Sequence, residues 1–417
     1  MKDLKEKIVK SSYLDLFLFF SYFHTVIFLL INHLTRGEVL RHLFNNTIQF
    51  VDFFMHLAIC SDRTHLYYYP EFALFPPLPY LLYYFFWQLD PRIDPETPMN
   101  WDLFRDYGNN ITLYIFYCMV LGFLLVYTIG QYYKKFGAKY NLLYPIALIF
   151  NYPMLCTTLE RGNSVGLVAI MCALAWVWMD DESRVKQEIA MLLIAIAAAF
   201  KLYPAIMGLE YLRRKDWKRV IRLCIYGILF LVVPFAFFGG VDGAMHYLQN
   251  ILYYSKYGYG MRTNTISGAM EVLFGTCIGL PMETASKIAK AVQMIYAAFC
   301  IGGMLLAEKK WQRTLFAAGM MASFLSSGFE YTCVCYLPVI LVFTKENDGW
   351  IGSGSRANRV WNVVNVFFMG LIFTMPAYWY FVGIKAKTGV FSCGYVWLLL
   401  NAVDVTAQVV KRYVVKK

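Results

Sequence analysis

Asp52 and His56 lie four positions apart in Val51-Asp52-Phe53-Phe54-Met55-His56, one turn apart if the segment is helical. A carboxylate beside an imidazole is a proton-transfer pair. Either group can act as general base while the other fixes its orientation or tautomer. The surrounding pattern is helical: Leu40, Leu43, Phe44, Ile48, Val51, Phe54 and Ala58 recur at steps of three and four, and Arg41, Asn45, Gln49, Asp52 and His56 fall on the other face. Residues 38–58 are too polar to span a bilayer, so the segment is expected to lie along an interface. The same spacing also describes a solvated polar face with no chemistry, and pattern alone favours that reading.

Other polar groups stand where lipid is expected. Lys201 is deep in the apolar run 190–209. A central lysine costs about 2.5–3.5 kcal/mol on insertion, so it should face an internal cavity or an anion, with snorkelling as the alternative. Arg161, in Glu160-Arg161-Gly162-Asn163, joins two apolar runs, where an arginine often has no chemical role. Arg262 and Asn264 adjoin a loop rich in Gly and Tyr (Tyr253, Tyr254, Tyr257, Tyr259), and Glu330 interrupts the apolar run 315–343. An acid inside such a run is read as functional.

The elements that carry these residues must be membrane elements. Residues of the set AVILMFWYC make up 59% of the 417 positions and charged residues only 16%, a balance no water-exposed surface tolerates. Stretches long enough to cross a hydrocarbon core recur throughout, for example 13–31, 111–130 and 221–238. The expected architecture is an all-α polytopic membrane protein, a single integral membrane domain over 1–417 with roughly 10–12 transmembrane or re-entrant helices. Residues 35–70 form its first extracytoplasmic loop. The first apolar stretch is too long for a signal-peptide core and is read as a retained span. The ten cysteines fall mostly inside apolar segments, with no zinc spacing. Basic residues cluster in 1–10, 132–139, 180–188, 213–222, 308–313, 345–359 and 411–417, which the positive-inside rule places in the cytosol. The net charge of +11 is therefore topological and does not indicate nucleic acid. Two segments do not fit simple crossings. Residues 71–89, with Pro76, Pro77 and Pro79, and 189–212, broken near Pro204, should each re-enter the membrane, and broken helices at that depth are tolerated only against protein or a water-filled cavity.

Soluble chemistries are excluded in turn: the chain has no Walker loop, no dinucleotide fingerprint, no His-Glu-x-x-His and no Gly-x-Ser-x-Gly. It also lacks an Asp-x-Asp pair, which would chelate a metal on a nucleotide-sugar pyrophosphate. Nucleotide-sugar use is thereby disfavoured.

Several motifs, in their order and spacing, resemble the GT-C membrane glycosyltransferases and, within them, glycosyltransferase family 87, which includes polyprenyl-phosphate-mannose-dependent mannosyltransferases. They are Val51-Asp52-Phe53-Phe54 in the first outer loop, then Tyr69-Pro70 and Phe75-Pro76-Pro77-Leu78. Arg161-Gly162-Asn163 stands where the family tends to have Gly-Gln-x-Asn. Ala199-Phe200-Lys201-Leu202-Tyr203-Pro204 is similar to its Lys-x-x-Pro element, Arg213-Arg214-Lys215-Asp216-Trp217 to the basic turn behind it, and Arg262-Thr263-Asn264-Thr265-Ile266-Ser267-Gly268 to its Asn-x-Ser-Leu-x-Gly loop. The resemblance runs from Val51 to about Phe343. It departs at Ser327-Gly328-Phe329-Glu330-Tyr331, where Tyr331 stands in place of an expected histidine.

The resemblance implies inverting transfer of a hexosyl unit, mannosyl in the family's pattern, from a polyprenyl-phosphate sugar to a lipid-linked or cell-envelope glycan. It implies a bacterial cell membrane, with the site on the extracytoplasmic side. Asp52 matches the outer-loop aspartate and takes the role of general base. Lys201, Arg161 and Arg262 would stabilise the departing phosphate, and His56, Asn163, Asn264, Glu330, Tyr331 and Tyr203 would orient sugar or acceptor. No cofactor is implied; a divalent metal is compatible but not required. The partners are the lipid-phosphate donor, a glycan or glycolipid acceptor and membrane lipid. Two rival readings are a transporter or flippase without transferase activity, since intramembrane ions and broken helices mark those too, and a catalytically dead lipid-binding scaffold. Against the transporter stand the absence of paired repeats and the carboxylate in an amphipathic outer segment.

Overall fold

The computed structural model describes residues 12–37, 50–68, 73–89, 110–133, 148–149, 151, 154, 158–257, 265–324, 330–347, 354–373, 378–381 and 389–414. In chain order the helices are α1 (Tyr13–Leu34), α2 (Val51–Ser61), α3 (Pro77–Leu89), α4 (Asn110–Tyr133), α5 (Val165–Trp178), α6 (Arg184–Phe200), α7 (Leu209–Arg213), α8 (Trp217–Val232), α9 (Gly240–Tyr257), α10 (Ile266–Glu271), α11 (Met282–Leu306), α12 (Lys310–Ser323), α13 (Leu337–Glu346), α14 (Arg356–Ile372) and α15 (Cys393–Val414). A short antiparallel hairpin, β1 (Tyr378–Phe381) with β2 (Gly389–Ser392), pairs Tyr378 with Ser392 and Phe381 with Gly389. The chain is otherwise an all-α polytopic membrane protein. Among the described residues, five helical stretches are long and apolar enough to cross a bilayer: Tyr13–Leu34, Ile111–Tyr132, Trp217–Phe237, Met282–Leu306 and Cys393–Arg412. Three of these are the stretches read from the sequence at 13–31, 111–130 and 221–238.

The chain divides into two compact units, each assembled from separated segments. One comprises 46–126 and 156–260, the other 1–45, 127–155 and 261–417. In the second unit α1 begins with a capping box, in which Ser12 Oγ accepts from the Asp15 amide at 3.1 Å and Asp15 accepts from the Ser12 amide at 2.9 Å. Its 22 residues packed on α14 are held close by Gly370, where a Cβ would come within 2.7 Å of Phe20 Cβ. Small residues at such contacts are how helices approach in lipid, where burying apolar surface gains nothing. Polar glue is supplied by Asn365, whose Oδ1 accepts from Trp397 Nε1 at 2.7 Å and from Asn401 Nδ2 at 2.9 Å.

The first unit is organised around α5, which is buried on all sides, as expected of a central helix. Residues 189–212 break after Phe200, close to Pro204, and double back. α6 runs for 17 residues, or about 25 Å at helical rise, and ends at Lys201, whose φ of −145° is extended. A 3-10 turn over Tyr203–Gly208 and then α7 bring the chain back. The return is fixed by ions: Arg214 pairs with Asp180, at the start of the limb, and with Glu210 at 2.7 Å, and Arg213 reaches Glu210 at 3.0 Å. Arg222 bonds Glu188 at 2.6 Å, joining the starts of α6 and α8, so these two helices run in the same direction from one end. The basic turn is therefore an ion-paired clasp. α3 is also short: its 13 residues begin at Pro77, and Pro77 and Pro79 sit in the first turn, where no intrahelical amide donor is lost.

Glu210, fully buried, holds both arginines of the clasp. Glu210→Gln is expected to lower stability by on the order of 2 kcal/mol, the low side for breaking a buried pair because both arginines keep a water-exposed edge. Thermal unfolding in detergent checks this; an unchanged midpoint would show that the limb that doubles back after α6 does not depend on the clasp.

Candidate functional site

Within the first unit, α2 carries Asp52 and His56. At 11 residues, about 16 Å, this helix cannot span a membrane. It starts after Phe50, whose φ of 60° and ψ of 10° are left-handed and whose amide donates to the Glu160 carbonyl at 2.7 Å. The helix start is thus tied to the loop before α5. Asp52 lies in the first turn, where the helix dipole favours a negative charge. The sequence placed Asp52 and His56 on an outward polar face. The structure buries both, at 6% and 1% exposure, because Phe75 and the α3 residues Tyr80 and Tyr83 pack on His56 and the loop carrying Arg161 and Asn163 closes on Asp52, while Phe53 beside them packs against Tyr83, Phe86, Tyr114 and Tyr117. Residues 38–49 of the expected interfacial helix lie outside the described residues.

The Asp52 carboxylate receives three charge-assisted or polar bonds from one loop. Arg161 Nη2 donates to Oδ1 at 2.8 Å and Arg161 Nε to Oδ2 at 3.1 Å, a bidentate fork, and Asn163 Nδ2 donates to Oδ2 at 2.6 Å. Asn163 Oδ1 accepts from the Val165 amide at 3.0 Å, so its amide nitrogen must be the atom facing Asp52. Gly162 makes this geometry possible. Its φ is +70°, and a Cβ there would sit 2.5 Å from Phe53 Cβ. The turn is braced by Tyr83 Oη donating to the Gly162 carbonyl at 3.2 Å and Tyr117 Oη donating to the Asn163 carbonyl at 3.3 Å.

One turn along α2, the His56 ring packs against Phe75, Tyr80 and Tyr83, with centroids 4.8, 5.5 and 4.9 Å away, and its Nδ1 is buried without a hydrogen-bond partner. Lys201, at the apex of the limb that doubles back after α6, places Nζ 3.3 Å from the centroid of the same Phe75 ring, a cation–π contact. The structure therefore gathers Asp52, His56, Arg161, Asn163 and Lys201 in one place. Tyr203 opens the turn two residues beyond Lys201. Arg262 and Asn264 lie outside the described residues. Glu330 and Tyr331 begin the 3-10 turn Glu330–Tyr336 of the other unit, and their side chains are also outside what is described. Among the described residues, no cluster of three or more His, Cys, Asp or Glu could hold a metal ion.

Sequence reading missed that Arg161 is the partner of Asp52 and that Phe75 joins Lys201 to His56. A glycine between a cation and an amide in Arg161-Gly162-Asn163 was the available sign of a shaped turn.

The electrostatics follow from burial and charge. Burial pushes the Asp52 carboxyl up, but the Arg161 charge, its two hydrogen bonds and that of Asn163 outweigh it and hold the group below the usual carboxylate range. Burial drives His56 down to about 3, opposed by the Asp52 carboxylate and reinforced by Lys201 and Arg161, so the ring is neutral. Because the folded value of Asp52 is depressed, its stabilisation is complete above the unfolded carboxylate value of about 4 and is lost as pH falls through the folded value. In Arg161→Gln, burial would dominate and raise the carboxyl, reversing the sign, so the variant is destabilised at neutral pH and recovers on acidification. The unfolding midpoints of the parent and Arg161→Gln should converge between about pH 7 and about pH 4. A constant gap would contradict the pairing.

The same region is matched in a known family. The model of glycosyltransferase family 87 matches residues 74–336, a span that takes in Phe75, Arg161, Asn163 and Lys201 and begins after Asp52 and His56. No curated protein matches the chain. With well over half of its length matched, this chain belongs to glycosyltransferase family 87 and is a membrane glycosyltransferase.

Proposed function

We propose that the protein transfers a hexosyl unit, mannosyl by the family's pattern, from a polyprenyl-phosphate sugar to a glycan or glycolipid acceptor, with inversion, at the extracytoplasmic face of a bacterial cell membrane. The observation that carries this reading is the buried Asp52 carboxylate held by Arg161 and Asn163 beside Lys201. A base, two cations and an oriented amide are what displacement of a phosphate from an anomeric carbon requires. The proposed placement outside is supported by the basic clasp at the opposite end of the limb, since the positive-inside rule favours the cytosol for basic turns.

The acceptor hydroxyl oxygen forms a bond to the anomeric carbon as the bond from that carbon to the phosphate oxygen breaks. The electron pair leaves with the phosphate, and the hydroxyl proton passes to Asp52. Arg161 and Lys201 stabilise the charge that accumulates on the leaving phosphate. At rest Arg161 lowers the basicity of Asp52. An incoming phosphate competes for the same guanidinium, and as the fork loosens the carboxylate regains proton affinity. Asn163 keeps the carboxylate aimed throughout, since its own orientation is fixed by the Val165 amide. His56, neutral and one turn away, contributes a polar ring atom for a sugar hydroxyl.

Asp52→Asn should reduce transfer by about 100- to 10,000-fold, as removal of a general base does. His56→Ala is compared beside it: a dead His56 variant next to a merely slow Asp52 variant would exchange their roles, and two active variants would remove the site from α2. Lys201→Met should preserve expression and weaken the donor; unchanged turnover would make Lys201 a packing residue. Robust transfer from a nucleotide sugar without a lipid donor would contradict the donor class.

A further inference from the structure

The turn of residues 62–68, beyond the end of α2, meets the start of α9 in an exposed patch of rings and carboxylates. Tyr68, 46% exposed, packs against two imidazoles: its ring centroid is 4.1 Å from that of His246 and 5.2 Å from that of His65. The Tyr68 hydroxyl donates to Asp242 Oδ2. The other oxygen, Oδ1, lies 3.9 Å from His246 Nε2, too far for a hydrogen bond, and the Asp242 side chain is 66% exposed. One hydroxyl donating to Oδ1 and accepting from Nε2 would close that gap. His65 is held from one side only. Asp62 accepts from its Nδ1 at 3.1 Å, from its amide at 3.2 Å and from the Thr64 hydroxyl at 3.0 Å. A carboxylate only accepts, so Nδ1 carries the proton and Nε2 of the neutral ring is left as an acceptor.

The patch is not what fastens α9 to the turn. Buried groups do that: Asn250 Nδ2 donates to the Tyr67 carbonyl at 2.8 Å, and the Tyr67 ring packs against Phe235 and Tyr247. Exposed polar pairs add little to such a joint. What they form is a surface with aromatic rings and both donors and acceptors at its edge. A pyranose matches it, since its C–H bonds favour the electron-rich face of an aromatic ring and its hydroxyls can both donate and accept. Among the described residues Asp62 and Asp242 outweigh Arg63, which disfavours a phosphate, and no cluster there could hold a metal ion. The ligand chemistry is that of a neutral polyol.

Its distance from the site is fixed. α2 runs about 14 Å from Asp52 to Ser61 at helical rise, and Tyr67 Oη donates at 3.1 Å to the carbonyl of Phe75, the residue packed on His56 and Lys201. The stretch Trp217–Phe237 begins beside the basic clasp, so α9, which follows it, lies on the side proposed above for transfer.

We propose that Tyr68, His65, Asp242 and His246 form a distal acceptor subsite, which binds a pyranosyl ring of the acceptor glycan several sugars away from the hydroxyl that attacks. The proposal rests on the glycan-acceptor reading given above. A subsite held at a set distance by a rigid helix favours acceptors long enough to reach it.

The test uses purified parent, Asp242→Ala and His246→Ala, with Val241→Ala, an exposed position of α9 outside the patch, as control. Affinity for free α-mannotetraose is measured by calorimetry, and KM and kcat are measured for a tetramannosyl glycolipid and for octyl mannoside. Each patch variant should lose about tenfold in mannotetraose affinity and raise the glycolipid KM by a similar factor, as loss of a hydrogen bond to a charged or polar partner does. The kcat values, the donor KM and the KM for octyl mannoside should stay as in the parent, which also verifies the fold. The control should match the parent throughout.

Unchanged tetrasaccharide affinity and KM in both patch variants would overturn the subsite and leave the transferase reading standing. Equal losses for the glycolipid and octyl mannoside would place the effect in the fold or at the transfer site, and would also overturn it. A parent that does not bind mannotetraose would do the same. A parent that binds mannotetraose through Asp242 and His246 but transfers to neither acceptor would overturn the acceptor reading instead.

Discussion

Asp52 and Arg161 are 109 positions apart in the chain and meet in a buried, bidentate ion pair. A carboxylate taken out of water is tolerated only where charge and hydrogen bonds replace its hydration, so the pair constrains everything that supplies its partners. The loop before α5 must turn through Gly162 to present Arg161 on one side and Asn163 on the other. That turn lies against Phe53 and is braced by Tyr83 and Tyr117, which fixes the positions of α3 and α4 beside α2. The start of α2 is bound to the same loop through the Phe50 amide. An aromatic cage around a short non-spanning helix is thus the scaffold on which a single charged cluster is held.

The same pair sets the chemical logic of the proposed reaction. A base locked to a cation is a weak base, and a cation locked to a base is a weak phosphate ligand. A substrate whose phosphate draws on Arg161 would relieve both restraints together, coupling arrival of the donor to readiness of the carboxylate. Lys201 has a different role. It stands at the apex of a limb whose two ends are closed by Glu210, Arg214 and Asp180, and it meets the cluster against Phe75.

Much of this was legible in the sequence. The long spans follow from hydropathy alone, and the doubling back of 189–212 from a run broken near Pro204 with basic flanks on both sides. The four-residue spacing of Asp52 and His56 placed them together correctly. What it could not show is the face they occupy: apolar periodicity places a helix against lipid or water, and here the polar face is instead covered by Phe75, by Tyr80 and Tyr83 of α3 and by the loop carrying Arg161 and Asn163. The Arg161 partner was illegible for the same reason, since pairing across 109 positions is a property of packing and not of local pattern.

The competition between Asp52 and a lipid phosphate for Arg161 is most directly tested by the affinity of polyprenyl phosphate for the parent and for Asp52→Asn, measured at neutral pH in the same detergent. The amide keeps the shape of the side chain and releases the guanidinium, so the variant, inactive in transfer, should bind the phosphate more tightly than the parent. Equal or weaker binding by Asp52→Asn would contradict the account, because it would mean that Arg161 belongs to the carboxylate alone.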